Sequence, residues 1–265
     1  LQPAYIYVKG SPESIKCLCK ANSIPDHFDA MCSRYSSMGY YVIALACKII
    51  DSTHLTQLDQ LSRNQIENEL DFKGFLLFEN PIKKQAYPTF SALKEANISS
   101  VIITGDNALT AVHVARQLKL TSTVYLVDKD DIGLFYLVLE SVSGSPLYVE
   151  PRRFSASDLV FSIQDSGTHV AMTGAALIEM QENDKILLET LMPNTIIFSR
   201  AKPDQKTWII EWLIKSGKQV GMCGDGTNDC GALKAAHVGL ALSSAEASIV
   251  APFTSAEKRI SDIVL

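Results

Sequence analysis

Few folds can accommodate the stretch from 219 to 236. An apolar run, Gln219 to Met222, leads through Cys223 into Gly224-Asp225-Gly226-Thr227-Asn228-Asp229, and a helical pattern resumes at Cys230. A simple turn needs one or two Gly, Asp or Asn residues, not six in succession. Two carboxylates four residues apart, separated by glycine and small polar groups, suit a hard cation that takes oxygen ligands. The glycines let the backbone approach a phosphate closely and adopt positive φ. A strand, this loop and a helix therefore point to an α/β sheet with a polar site at a strand's carboxyl end.

The rest of the chain repeats that rhythm. Short apolar runs alternate with amphipathic stretches, as in α/β proteins. Strands are expected at Ala4 to Val8, Tyr41 to Lys48 and Phe72 to Phe78. A helix opens at Ser11-Pro12, with Ser11 as N-cap and Pro12 in the first turn, and a second lies within Ile24 to Ser37. Ser52 to Glu69 reads as loop plus a helical segment, and the chain changes character near Asn80-Pro81. Beyond that point the order is helix Ala86 to Ala96, strand Ser100 to Ile103, helix Ala108 to Leu118 and strand Thr123 to Val127. This succession predicts parallel strands with right-handed crossovers. Residues 128–194 read as an insertion, with strands at Leu134 to Leu139 and His169 to Met172 and a helix at Ala175 to Met180. Order resumes with strand Thr195 to Ser199, helix Asp204 to Lys215 stopped by Gly217, and strand Val238 to Leu242.

Two further motifs sit at ends of predicted strands. Thr104-Gly105-Asp106 follows Val101-Ile102-Ile103, and a hydroxyl with backbone amides before a helix can cradle a phosphate. An ordinary turn capped by Asp106 or Asn107 would look the same. Lys206 falls in the first turn of the helix begun by Pro203-Asp204, where the helix dipole disfavours a cation unless an anion is near. A solvated surface lysine is the plainer account of any lone lysine. A third segment, Val124 to Asp130, ends an apolar run in Asp128-Lys129-Asp130 and imitates a phosphorylated-aspartate motif. It lacks the Gly-Thr that should follow and comes after the threonine motif, so it reads as an acidic loop.

The formal net charge of -5 and the absence of long Lys/Arg runs argue against a nucleic-acid partner or a basic membrane-binding patch. With 47% hydrophobic and 20% charged residues the chain can bury a core. The six cysteines show no CxxC spacing, which favours free thiols over a zinc site. No signal peptide is expected, and the most apolar run, Tyr40 to Ile50, is far shorter than the ~20 residues that span a bilayer.

Along nearly its whole length the sequence resembles P-type ATPases. Lys9-Gly10-Ser11-Pro12-Glu13 is similar to the lysine-glycine motif of their nucleotide-binding domain. Thr104-Gly105-Asp106, Lys206 and the Gly224 to Asp229 loop are similar, in order, to the motifs of their phosphorylation domain. The strings Gly221 to Lys234, Ala245-Glu246-Ala247-Ser248 and Pro252-Phe253-Thr254-Ser255 resemble the fifth subclass, and within it the B branch, polyamine-transporter-like cation pumps. The resemblance implies a haloacid-dehalogenase-like (Rossmann-like) parallel-sheet phosphorylation domain at 80–265, lacking its first strand, and the C-terminal part of an α+β nucleotide-binding domain at 1–79.

It also implies roles. Asp225 holds Mg²⁺, and Asn228 and Asp229 order the site around it. Thr104 and Gly105 bind phosphoryl oxygens, with Asp106 fixing their loop, and Lys206 neutralises phosphoryl charge. Lys9 and Gly10 line the adenine pocket, and Arg200 bridges the nucleotide and the two domains. ATP and Mg²⁺ are the implied ligands, and a cation or polyamine is the implied cargo. The cargo would be carried by transmembrane helices outside this chain, in a multi-pass protein of an endolysosomal or vacuolar membrane whose ATP-handling region faces the cytosol. The Asp-Lys-Thr-Gly-Thr segment with the phosphorylated aspartate is expected upstream of Leu1, so the chain alone is expected to be inactive. Tyr41 stands where relatives usually carry an arginine that contacts ATP phosphates. Two other readings compete: a soluble haloacid-dehalogenase-type Mg²⁺-dependent phosphatase, and a stand-alone nucleotide-binding module.

Overall fold

The computed structural model describes residues 4–50, 62–139, 152–164, 168–242 and 247–255, the side chains of 152–154 excepted. Residues 52–61 of the expected loop and helical segment, Ser52 to Glu69, and the Ala245-Glu246 pair lie outside the described residues. The chain divides into two compact units, Leu1–Asn80 and Pro81–Leu265.

In the first unit β1 (Ala4–Gly10), α1 (Pro12–Leu18), α2 (Phe28–Ser37), β2 (Tyr41–Ile50), α3 (Arg63–Ile66) and β3 (Asp71–Phe78) form an antiparallel sheet, order β1-β2-β3, with helices on one face. Ser11 caps α1 by accepting the Ser14 N–H, and Pro12 occupies the first turn, as its fixed φ favours. Strand alternation sends Val8, Ala44 and Ala46 toward Ile15 and Leu70 in a buried cluster. The opposite face carries Tyr5, Tyr7, Tyr41, Ile49, Leu76 and Phe78, all exposed. Phe28 packs edge-on against Phe72 at 5.0 Å between ring centres, closing α2 onto β3.

The second unit runs α4 (Ala86–Glu95), β4 (Ile102–Ile103), α5 (Ala108–Gln117), β5 (Val124–Lys129), β6 (Leu134–Leu139), β7 (Arg152–Phe154), α6 (Ala156–Ser162), β8 (His169–Thr173), α7 (Gly174–Asn183), α8 (Lys185–Leu191), β9 (Thr195–Ser199), α9 (Pro203–Lys215), β10 (Gly221–Gly224), α10 (Cys230–Ala235), β11 (Val238–Ala241), α11 (Ala247–Val250) and β12 (Phe253–Thr254). The larger sheet has the order β4-β9-β8-β5-β6-β7. Its first four strands are parallel, and β6 and β7 extend it antiparallel. A separate parallel sheet is ordered β10-β11-β12.

Both faces of the large sheet are covered, so this is an α/β fold. Val127, Met172 and Phe198 meet Leu177, Leu191 and Ile209 on one side. Leu126, Ala171 and Ile197, one residue earlier on the same strands, meet Ala111, Val112 and Ala115 of α5 on the other.

The insertion reading of 128–194 needs correction. β8 lies between β9 and β5, and α7 and α8 supply much of the main core, so residues 169–191 belong to the central scaffold. What leaves the parallel pattern is the β5–β6 hairpin and β7. The hairpin also settles the Asp128 segment. β5 turns straight back into β6, and the Asp130 carboxylate accepts the Ile132 and Gly133 N–H groups of the turn. The Thr173 hydroxyl donates to Asp128 Oδ1 at 2.6 Å while accepting the Ala176 N–H as cap of α7. Asp128 thus helps anchor a helix start.

Candidate functional site

The parallel strands β4 and β9 end side by side, and their carboxyl ends are laced together by backbone. The Thr104 N–H donates to Phe198 O at 2.8 Å and the Ala201 N–H to Thr104 O at 3.0 Å. The Arg200 N–H donates to Asp106 O at 3.0 Å, and its guanidinium reaches Gly105 O at 3.2 Å. Arg200 sits at φ 50, a left-handed conformation uncommon for a side-chain-bearing residue. The Thr104 hydroxyl accepts the Asp106 N–H at 3.1 Å, and the Asn107 side chain caps α5 by accepting the Leu109 N–H. The cap is therefore Asn107, and Asp106 contributes its carbonyl to the Arg200 turn.

From this turn the chain enters α9. Lys206, fourth residue of the helix, is 9% exposed, and its Nζ lies 2.7 Å from Asp229 Oδ1. The solvated-lysine reading is thereby excluded. Asp229 is 8% exposed and is the anion that offsets the unfavourable helix dipole at this position. Its other oxygen accepts the Gly226 N–H at 3.2 Å. A Cβ at Gly224 would lie 2.7 Å from Asp229 Cβ, so glycine is required there for close approach. Neither Gly224 nor Gly226 has positive φ. The loop's glycines serve proximity at Gly224, and the left-handed geometry expected of them is not used.

Asp225 and Asn228 are exposed on the same loop. Negative charge gathers there: burial first, then Asp225 and Asp229, push the Cys223 thiol up to about 11. Among the described residues no three His, Cys, Asp or Glu side chains cluster as a metal cage. The exposed Asp225 carboxylate fits Mg²⁺, which takes one or two carboxylates and completes its shell with water and phosphate oxygens.

Of the residues singled out from sequence, the structure joins Lys206 to Asp229 and Arg200 to Gly105 and Asp106. Lys9 and Gly10 end β1 in the other unit, where Lys9 shares the open sheet face with Tyr7 and, across its partner Leu45, with Tyr41. Gln205 was missed. It is 6% exposed, donates to Gly174 O at 2.7 Å and accepts the Lys202 N–H at 2.8 Å. Its only sequence signal was its place between Asp204 and Lys206.

No family model matches the chain. Over 95% of its length it is 37% identical to the probable cation-transporting ATPase 13A5 of Mus musculus, of which it covers 21%. It is 38% identical over 96% of its length to the polyamine-transporting ATPase 13A3 of Homo sapiens, covering 22% of that protein. The vacuolar cation-transporting ATPase YPK9 of Saccharomyces cerevisiae is 36% identical over 94% of the chain, which covers 18% of it. The chain thus spans about a fifth of the length of the curated relatives it matches.

Proposed function

We propose, from the premise that the chain belongs to the P-type ATPases of the 13A kind, that it is the part of such a pump that handles ATP and the transferred phosphoryl group. The carrying observation is the buried Lys206–Asp229 pair. It holds a cation and the Gly224–Asp229 loop together at the carboxyl ends of parallel strands, where ligands of α/β sheets bind.

In this reading the γ-phosphoryl of ATP passes to a carboxylate oxygen of an aspartate outside this chain, and ADP leaves. Lys206 and the Thr104-Gly105 turn offset and position the negative charge on the phosphoryl oxygens. Asp225 holds Mg²⁺, which supplies Lewis-acid neutralisation of phosphate charge when bound. Asp229 aims Lys206, and Asn228 and Asp106 shape their loops. Arg200, Lys9 and Gly10 contact the nucleotide. The sheet edges accord with an acceptor strand: among the described residues β4 pairs only with β9 and β10 only with β11. Ile103 of β4 and Met222 of β10 pack against the same apolar cluster around Ile210 and Val220. The transfer drives movement of a cation or polyamine across a vacuolar or endolysosomal membrane through helices elsewhere in the polypeptide. Among the described residues, no helix is long and apolar enough to cross a membrane.

The test is Asp225→Asn in the full-length ATPase, read as acid-stable phosphoenzyme formed from ATP and Mg²⁺. The rate is expected to fall by at least about 100-fold, the several kcal/mol that a lost metal contact represents. An unchanged rate sinks the metal role. Robust Mg²⁺-dependent hydrolysis of a soluble phosphomonoester by this chain alone would favour a phosphatase instead.

A further inference from the structure

The proposed chemistry depends on where one lysine amine sits, and the residues on either side of that lysine are held in unusual ways. Gln205 spends both ends of its amide: Nε2 donates to Gly174 O at 2.7 Å, and Oε1 accepts the Lys202 N–H at 2.8 Å. The first bond ties α9 to the first residue of α7, and the second closes the first turn of α9 onto itself. The packing there is tight. A Cβ at Gly174 would stand 2.5 Å from Gln205 Oε1 and 2.6 Å from Arg200 O. Gly174 in turn follows Thr173, which Asp128 holds at the end of β5. On the other side of Lys206, Thr207 touches α10: a Cβ at Gly231 would lie 2.5 Å from Thr207 Oγ1. α10 begins immediately after Asp229. Residues 205 and 207, on either side of Lys206, therefore register α9 against α7 and α10.

We infer that Gln205 is a positioning residue for Lys206, fixing the Arg200–Lys206 segment against α7 so that the amine is aimed before any phosphoryl group arrives. This rests on the proposed role of Lys206. The physical reason is preorganisation: a lysine has several rotatable bonds, and its transition-state contribution is largest when its backbone and first bonds are already fixed. A misplacement of about 1 Å in a reacting group can cost on the order of 100-fold in rate. Among the described residues Gln205 makes no hydrogen bond to the loop, and its influence runs through the segment that carries the lysine.

A double-mutant cycle in the full-length ATPase tests this, with single-turnover phosphoenzyme formation and apparent ATP affinity both measured. Gln205→Leu removes both hydrogen bonds at similar volume, and Lys206→Met removes the amine. Gln205→Leu is expected to slow phosphoenzyme formation about 10-fold or more while leaving ATP affinity within about twofold. In the Lys206→Met background the same change is expected to cost nothing further, because residues that act as a unit are not additive. An equal cost in both backgrounds overturns the positioning role and makes Gln205 a purely structural residue. An unchanged rate in Lys206→Met alone overturns the role of the lysine, a separate and distinguishable failure. If Gln205→Leu does not accumulate as folded protein, Gln205→Glu replaces it in the cycle. The carboxylate keeps the bond from Lys202 but loses the donor to Gly174 O except when protonated. Its defect is then expected to shrink as pH falls, and a pH-independent defect would overturn the proposal.

Discussion

Lys206 shows how a single residue's setting can contradict its intrinsic preference. Lysine is among the side chains least often buried, and the first turn of a helix is the wrong end for a cation. Both costs are met by one carboxylate at 2.7 Å. A buried pair is weak evidence for stability as such, since desolvation offsets most of the attraction, but breaking it leaves a charge with nothing to answer it. Lys206→Ala is expected to destabilise the fold by about 3 kcal/mol in urea denaturation, because Asp229 stays buried. Replacing both partners by apolar residues, Lys206→Met with Asp229→Leu, is expected to recover most of that loss. A single-mutant cost below about 1 kcal/mol would mean that the carboxylate finds water or another donor. From sequence, Lys206 was legible as a candidate by its place after Pro203-Asp204, and its burial was not. Burial is decided by Asp229, which is 23 residues away and is brought close only when α9 and α10 pack together. Gln205 was hidden for the same reason, its partner Gly174 being 31 residues distant.

At the scale of elements, local chemistry is legible in the sequence and nonlocal order is not. Strands Leu134–Leu139 and Thr195–Ser199 have the bounds their apolar runs suggested, and Ser11 and Gly217 punctuate helices as expected; Gly217 takes φ 82. α8 was not foreseen. It follows α7 with only Asp184 between, no Gly or Pro marks the break, and the joint rests on Asp184 at φ -147 accepting the Leu187 N–H. The central place of β8 is likewise not legible, since strand order is fixed by pairing across the sheet rather than by any residue in the strand. The first residue of that strand offers a pH test. His169 is held below 6.5, chiefly by burial and secondarily by the charge of Lys94, and its Nδ1 lies 3.0 Å from Thr121 Oγ1. The folded state therefore prefers the neutral ring, and below pH 6.5 the unfolded chain binds the proton more readily. The contribution is complete above that pH and is lost as pH falls toward the lowered value. Denaturation at about pH 7.5 and about pH 5.5 should show a drop in wild type that His169→Gln diminishes. Equal drops would place the acid sensitivity elsewhere.

At the scale of the molecule, the change of character at Asn80-Pro81 coincides with the division into two compact units. Each unit has its own buried clusters, and exposed residues predominate from Glu79 to Gln85. Exposed connecting backbone is where proteases cut first. Brief trypsin treatment is expected to cleave near Lys83-Lys84, leaving a large fragment from the second unit that keeps its helical circular dichroism. Early cuts after Lys206, inside α9, would contradict the division.

The side of the first unit's sheet that is exposed among the described residues has a practical corollary. Three tyrosines, two aliphatic chains and a phenylalanine displayed together on twisted backbone amount to half of a sandwich. Such a surface is adhesive: in concentrated solution two copies should press these faces together, sedimentation should depend on protein concentration, and a charged substitution such as Tyr7→Lys should restore monomers without touching the packed interior.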